Sequence, residues 1–185
     1  DNNCNAIKLA NYLKIKNWVV DRKKFDNPRD FDQSLYSLLL KLDPTLIALA
    51  GFMHILGEEF CEKFDGRIVN IHPSILPNYK GLNTHERVLK NKEKIHGATV
   101  HAVNKYLDGG DILCQGIVPI LKNDTEKLLA QRVLEIETII YPVAIAAILS
   151  SKVLIDNGKW KMNKSDHDFP DFNFSRKIFH PNFII

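Results

Sequence analysis

Short β-branched runs alternate with helix-like stretches along this chain, and that alternation predicts an α/β architecture of crossover-connected strands. Asn5–Leu13 reads as a helix and Trp18–Asp21 as a strand. Gln33–Lys41 reads as a helix, and Thr45–Ala50 (TLIALA), apolar almost throughout, as a strand buried on both faces. The pattern continues with a helix over Glu58–Phe64, a strand over Arg67–His72, a helix over Thr84–Lys90, and strands over Ala98–Val103 and Ile112–Ile120. Leu129, Val133, Ile136, Ile140, Val143, Ala147 and Ile148 recur at threes and fours, which makes Glu126–Ser151 one long helix. Asn123, Asp124 and Thr125 supply capping oxygens at its start, and Pro142 is expected to kink it. The fold class that follows is α/β: an open, mostly parallel, twisted sheet with flanking helices.

Such sheets usually lead with a strand, whereas the first element here is a helix, so a leading strand and its following turn are expected to be missing. From Trp160 onward the periodicity is lost. Five of the ten Phe residues (Phe169, Phe172, Phe174, Phe179 and Phe183) fall in this stretch, which reads as an irregular appendage. The expected division is a main domain over 1–158 and a Phe-rich tail over 159–185.

Composition narrows the partners. With 25 Lys and Arg against 22 Asp and Glu, the formal charge is +3, too small for a dedicated nucleic-acid binder or a polybasic membrane binder. No apolar run approaches the ~20 residues of a bilayer span. Cys4, Cys61 and Cys114 are widely spaced and form no CxxC pair, which favours a reducing, cytoplasmic setting over a disulfide framework or a zinc knuckle.

The informative chemistry lies in RIVNIHPSILPNYKG, a buried strand that ends in polar residues and is followed at once by Pro73 and Pro77. Asn70 and His72 are two apart, so on an extended strand both side chains leave the same face. An amide N–H can donate to an oxygen gaining negative charge, and an imidazole can take or return a proton near neutrality, a pair suited to acyl chemistry. The same spacing also fits a strand-capping Asn and a His bonded to a turn carbonyl. Asp108, in the Tyr106-Leu107-Asp108-Gly109-Gly110 loop, could orient His72 or simply shape the turn. Met53, Ile55 and Leu56, past the end of the TLIALA strand, could wall a pocket for a flat ring or belong to the core. His54, His85, His96, His101, His167 and His180 form no ligand motif, so no metal is expected. Neither a P-loop nor a GxGxxG motif is present in the sequence.

Taken together, LAGFMHIL, NIHPSILPNYKGLNTH and HGATVHAVNKYLDGGDILCQ resemble the formyltransferases that use 10-formyltetrahydrofolate, with similarity from near residue 1 to about residue 155. The resemblance implies a Rossmann-like formyltransferase fold lacking its N-terminal strand and glycine-rich turn. It places Asn70, His72 and Asp108 on the family's catalytic positions. Met53, His54, Ile55, Leu56, Val103, Asn70, Asp108 and Arg29 fall on the folate side, and Pro73, Asp156 and Asn157 on the acceptor side. The implied reaction is formyl transfer from 10-formyltetrahydrofolate, as cosubstrate, to the amine of phosphoribosylglycinamide in purine synthesis, by a monomer or homodimer acting on small molecules. Within the family, Gly81–His85 favours this branch over one acting on methionyl-tRNA, which carries an added RNA-binding domain. The Pro73-Ser74-Ile75 stretch departs from the pattern of formyltetrahydrofolate deformylases. A non-catalytic folate-binding remnant is the alternative from another class.

Overall fold

The structure is a computed structural model. It describes residues 4–150 and the strand segments 153–156, 159–162, 178–180 and 183–184. The chain divides into two compact units, Asp1–Pro44 and Thr45–Ile185.

In the first unit α1 spans Asn5–Tyr12 and α2 spans Pro28–Leu42. The start of α2 is set locally: the Asn27 side chain accepts from Asp30 N–H at 2.9 Å, and Pro28, with no N–H to lose, opens the first turn. This cap lies several residues before the expected start at Gln33. Phe31 is buried and meets Phe25 edge to face at 5.9 Å between ring centres. The strand expected at Trp18–Asp21 does not form. Asp21 instead caps a 3₁₀ turn over Arg22–Lys24, its carboxylate accepting from Lys23 N–H at 3.1 Å. Such a local side-chain bond competes with a ladder, and Trp18 and Val19 remain exposed.

The second unit is built on a six-stranded sheet in the order β1-β2-β3-β4-β7-β8. Its strands are β1 (Ile47–Leu49), β2 (Ile68–His72), β3 (Ile95–Ala102), β4 (Ile112–Pro119), β7 (Ile178–His180) and β8 (Phe183–Ile184). The α/β class and flanking helices are as expected, but strand direction is mixed rather than mostly parallel. β1 and β2 run parallel, and every other neighbouring pair is antiparallel. For β3 and β4 the cause is the connection Val103–Asp111, which is too short for the crossover that a parallel pair needs. β5 (Val153–Asp156) and β6 (Lys159–Met162) form a separate antiparallel pair. Where an irregular tail was expected over 159–185, the described segments are therefore the strands β6, β7 and β8. Phe169, Phe172 and Phe174 lie outside the described residues.

Helices α3 (Glu58–Lys63), α4 (Thr84–Lys90) and α5 (Glu126–Leu149) complete this unit. Thr125 caps α5 as expected, accepting from Leu128 N–H at 3.3 Å, and Asp124 takes a two-pronged bond from Arg132 at 2.7 and 2.8 Å. The helix continues through Pro142, which has no N–H to give the i−4 carbonyl of Thr138, an exposed residue. Leu129, Val133, Ile136, Ile140 and Ala144 face Ile71, Ala98, Val100, Leu113 and Val118 of the sheet and form the core. Gly116 lets α5 settle this closely, because a Cβ there would stand 2.3 Å from Ile136 Cγ1. Ile136→Ala is therefore expected to lower unfolding free energy by about 2–5 kcal/mol in urea denaturation; a loss well under 1 kcal/mol would contradict this packing.

Candidate active site

Even-numbered β3 residues Ala98 and Val100 look toward α5, so Thr99 and His101 occupy the other face. The antiparallel register sets Asn70 opposite His101 and His72 opposite Thr99, and these four side chains share that face. Asn70 Nδ2 lies 3.3 Å from His101 Nε2. His101 Nδ1 lies 2.7 Å from the Ala102 carbonyl. A bulge between β3 and β4 falls at Val100/His101, beside the site.

Asp108 joins the two histidines. One carboxylate oxygen is 3.5 Å from His72 Nδ1 and the other 3.8 Å from His101 Nε2. Asp108 holds φ at +44°, a left-handed conformation uncommon outside glycine, and Gly81 N–H donates to its Oδ2 at 2.8 Å. Gly110 makes the loop possible, since a Cβ there would meet the Ala102 carbonyl oxygen at 1.9 Å.

The turn after His72 is fixed from beneath. Buried Thr99 donates through Oγ1 to Ser74 O at 2.6 Å and accepts from Leu76 N–H at 3.1 Å, and Gln115 Nε2 donates to Leu76 O at 2.8 Å. Ser74 Oγ donates to Asn78 O at 2.8 Å. These bonds deliver the Tyr79 carbonyl to His72 Nε2 at 3.0 Å. His72 thus has an oxygen near each ring nitrogen, the Tyr79 carbonyl within hydrogen-bond distance of Nε2 and the Asp108 carboxylate 3.5 Å from Nδ1. Tyr141, on α5, donates to Leu49 O at 2.7 Å and lies 3.2 Å from Val69 O, tying together β1 and β2 beside the site.

The arrangement offers an amide, two imidazoles and a carboxylate, largely shielded from water, a set suited to stabilising an oxyanion and moving a proton. The Formyl transferase family model matches residues 1–145. The chain belongs to the formyl transferase family. It is 43% identical over 136 residues to the phosphoribosylglycinamide formyltransferase of Haemophilus influenzae, an alignment covering 74% of this chain and 64% of that one. It is 38% identical over 156 residues to the Escherichia coli protein of the same name, covering 84% of this chain and 74% of that one. Against the trifunctional purine biosynthetic protein adenosine-3 of Gallus gallus it is 38% identical over 159 residues, covering 84% of this chain but only 16% of that protein. Among solved structures, the phosphoribosylglycinamide formyltransferase of Coxiella burnetii superposes with a TM-score of 0.79 at 37% identity, covering 92% of this chain and 82% of that one. The fold is the Rossmann-like one of these formyl transferases.

The other residues read from the family pattern differ in exposure. Met53 and Ile55 are 67% and 66% exposed beyond the end of β1, whereas Leu56 is buried in the core. The His54 ring lies edge to face against Phe52. Val103 donates its N–H to Ile68 O at 3.0 Å, at the start of the Asp108 loop. Pro73 follows His72 directly, Asp156 ends β5, and Arg29 sits in the first turn of α2, in the first unit. Asn157 lies outside the described residues. His101 is the site residue that motif reading passed over. Its only signal in the sequence is the period-two alternation of ATVHAV, in which Thr99 and His101 are the polar positions of an otherwise apolar run.

His96, on β3, contacts His85 of α4 at 3.1 Å. Burial pushes the His96 imidazole down to about 4 and lowers that of His85 as well. An unfolded chain takes up these protons near the ordinary value of 6.5, so it binds more protons than the folded state below that pH. Stability should consequently fall as pH drops from about 6.5 toward 4, and urea midpoints should be lower at pH 5 than at pH 7. Equal midpoints would show that these rings are not held neutral. A second expectation concerns the loop: Gly110→Ala should cost about 1–3 kcal/mol in the same assay by displacing the Ala102 carbonyl, and an unchanged midpoint would rule out the close approach.

Proposed function

We propose that this protein transfers the formyl group of 10-formyltetrahydrofolate to the amine of phosphoribosylglycinamide, a step of purine synthesis, with Asn70, His72 and Asp108 as its catalytic residues. The observation that carries the reading is the meeting of these groups: His101 touches Asn70 and stands near Asp108, which in turn stands beside His72. Residues 1–158 are read as the formyl transferase domain, working on small molecules in the cytoplasm as a monomer or homodimer. Exposed Met53 and Ile55 are apolar surfaces suited to a flat pterin ring, with His54, Leu56 and Val103 assigned to the same cosubstrate. Pro73, Asp156 and Asn157 are assigned to the acceptor.

In this reading the acceptor amine attacks the formyl carbon, the bond from that carbon to the folate nitrogen breaks, and one proton passes from the amine to the departing nitrogen. Asn70 Nδ2–H donates to the oxygen that becomes negative during attack, and His72 joins it by sharing its Nε2–H between that oxygen and the Tyr79 carbonyl. Asp108 steadies the positive charge on His72, and through a water it relays the migrating proton. No covalent bond to the protein is required.

The test is formyl transfer by the full-length protein with phosphoribosylglycinamide, charged initiator tRNA and water offered as acceptors. Preference for the first is expected; preference for tRNA or water would overturn the assignment. Asn70→Ala and His72→Ala should each fold normally and lose about 10²–10³-fold in kcat, the usual effect of deleting an oxyanion donor. Near-normal turnover in either variant would remove that residue from the mechanism.

A further inference from the structure

We infer that His101 is a positioning residue for Asn70: its bare Nε2 lone pair accepts an Asn70 Nδ2–H and so decides which end of that amide is N–H and which is C=O. This rests on the formyl-transfer reading above and adds to it a residue that touches neither substrate nor reacting atom.

The argument runs around the imidazole. Nδ1 lies 2.7 Å from the Ala102 carbonyl, an atom that can only accept, so Nδ1 carries a proton. A second proton on Nε2 would make a cation of a ring that is 2% exposed. Burial is the largest influence on His101 and lowers its proton affinity, outweighing the Ala102 carbonyl and Asp108, which raise it; His72 and Lys80 lower it further. The ring is neutral, and Nε2 is an acceptor. The Asp108 oxygen, at 3.8 Å, is beyond hydrogen-bond range of Nε2, whereas Asn70 Nδ2 is within it at 3.3 Å. Only the N–H end of Asn70 can satisfy a bare nitrogen. Turned the other way, the amide would set its oxygen against that lone pair. The second N–H of Asn70 is then left to donate elsewhere, which is what an oxyanion donor needs.

The anchor of this tautomer is itself held in place. Ala102 N–H donates to Asp111 O at 2.9 Å, and the chain passes over the Ala102 carbonyl at Gly110, where a Cβ would come within 1.9 Å of that oxygen. The Asp108 loop thus fixes the carbonyl that fixes the His101 tautomer, which in turn orients Asn70.

Two measurements on the full-length protein test the inference. In nitrogen-15 NMR of the wild type near pH 7, the His101 ring should show a protonated Nδ1 and a bare Nε2; a protonated Nε2 would overturn the proposal without any assay of turnover. In formyl-transfer kinetics, His101→Leu should lower kcat about 10-fold or more while KM for the formyl donor changes less than about threefold. His101→Gln, whose terminal oxygen can accept from Asn70, should recover kcat to within about threefold of wild type. With Asn70→Ala already present, His101→Leu should change kcat less than about twofold, because nothing is left to orient. A full additional loss in that background, or a wild-type kcat in His101→Leu, would overturn the positioning role. Absence of any transfer by the wild type would instead defeat the formyl-transfer reading, and the tautomer would then judge the contact alone.

Discussion

The antiparallel register between β2 and β3 is the constraint from which the site follows. With Asn70 opposite His101 and His72 opposite Thr99, polar groups meet on one face while Ile71 and Val100 meet on the other, under α5. A slip of one residue would exchange the faces, placing the imidazoles against α5 and the aliphatic chains in the site. The apolar side makes that slip costly, since Val100 and Ala98 are fully buried and Ile71 nearly so. Hydrophobic burial on one face thus specifies a polar constellation on the other.

A second layer of bonds aims the polar groups. Thr99 and Gln115 hold the Pro73–Tyr79 turn so that the Tyr79 carbonyl reaches His72, and Gly81 N–H holds the Asp108 carboxylate in a loop with a left-handed backbone at Asp108 itself. Left-handed conformations of non-glycine residues cost of order 1 kcal/mol or more and persist where surrounding contacts over-determine them. Here the offsetting contacts are the Gly81 bond and the proximity of both histidines. Buried polar networks of this kind are favourable only when their members are satisfied, and among the described residues Thr84 Oγ1 is the one buried side-chain atom left without a partner.

Much of the second unit was legible from periodicity, for a physical reason in each case. The apolar spacing of α5 and its Thr125 cap are local properties of the chain, as are the strands at Arg67–His72 and Ile112–Ile120, and each lies within a residue or two of its expected bounds. Trp18–Asp21 misled because its β-branched character says nothing about a partner, and Asp21 had a closer bond to make with Lys23 N–H. The start of α2 was placed too late because the Asn27-Pro28 signal precedes the apolar repeat. Mixed strand direction escaped because alternation of helices and strands does not distinguish a crossover from a hairpin; the length of Val103–Asp111 does.

At the site, the sequence by itself determined that Asn70 and His72 would leave β2 together, since a two-residue spacing on a strand permits nothing else. The motifs around them placed the chain among the formyl transferases. Only the tertiary structure decided that Asp108, far along the chain, would arrive beside His72, and that His101 would lie against Asn70. Those contacts depend on strand register and loop closure, which are set by the packing of α5 and by bonds between residues remote in sequence. An imidazole in a run such as ATVHAV carries no mark of what it will face; its role exists only once β2 lies alongside.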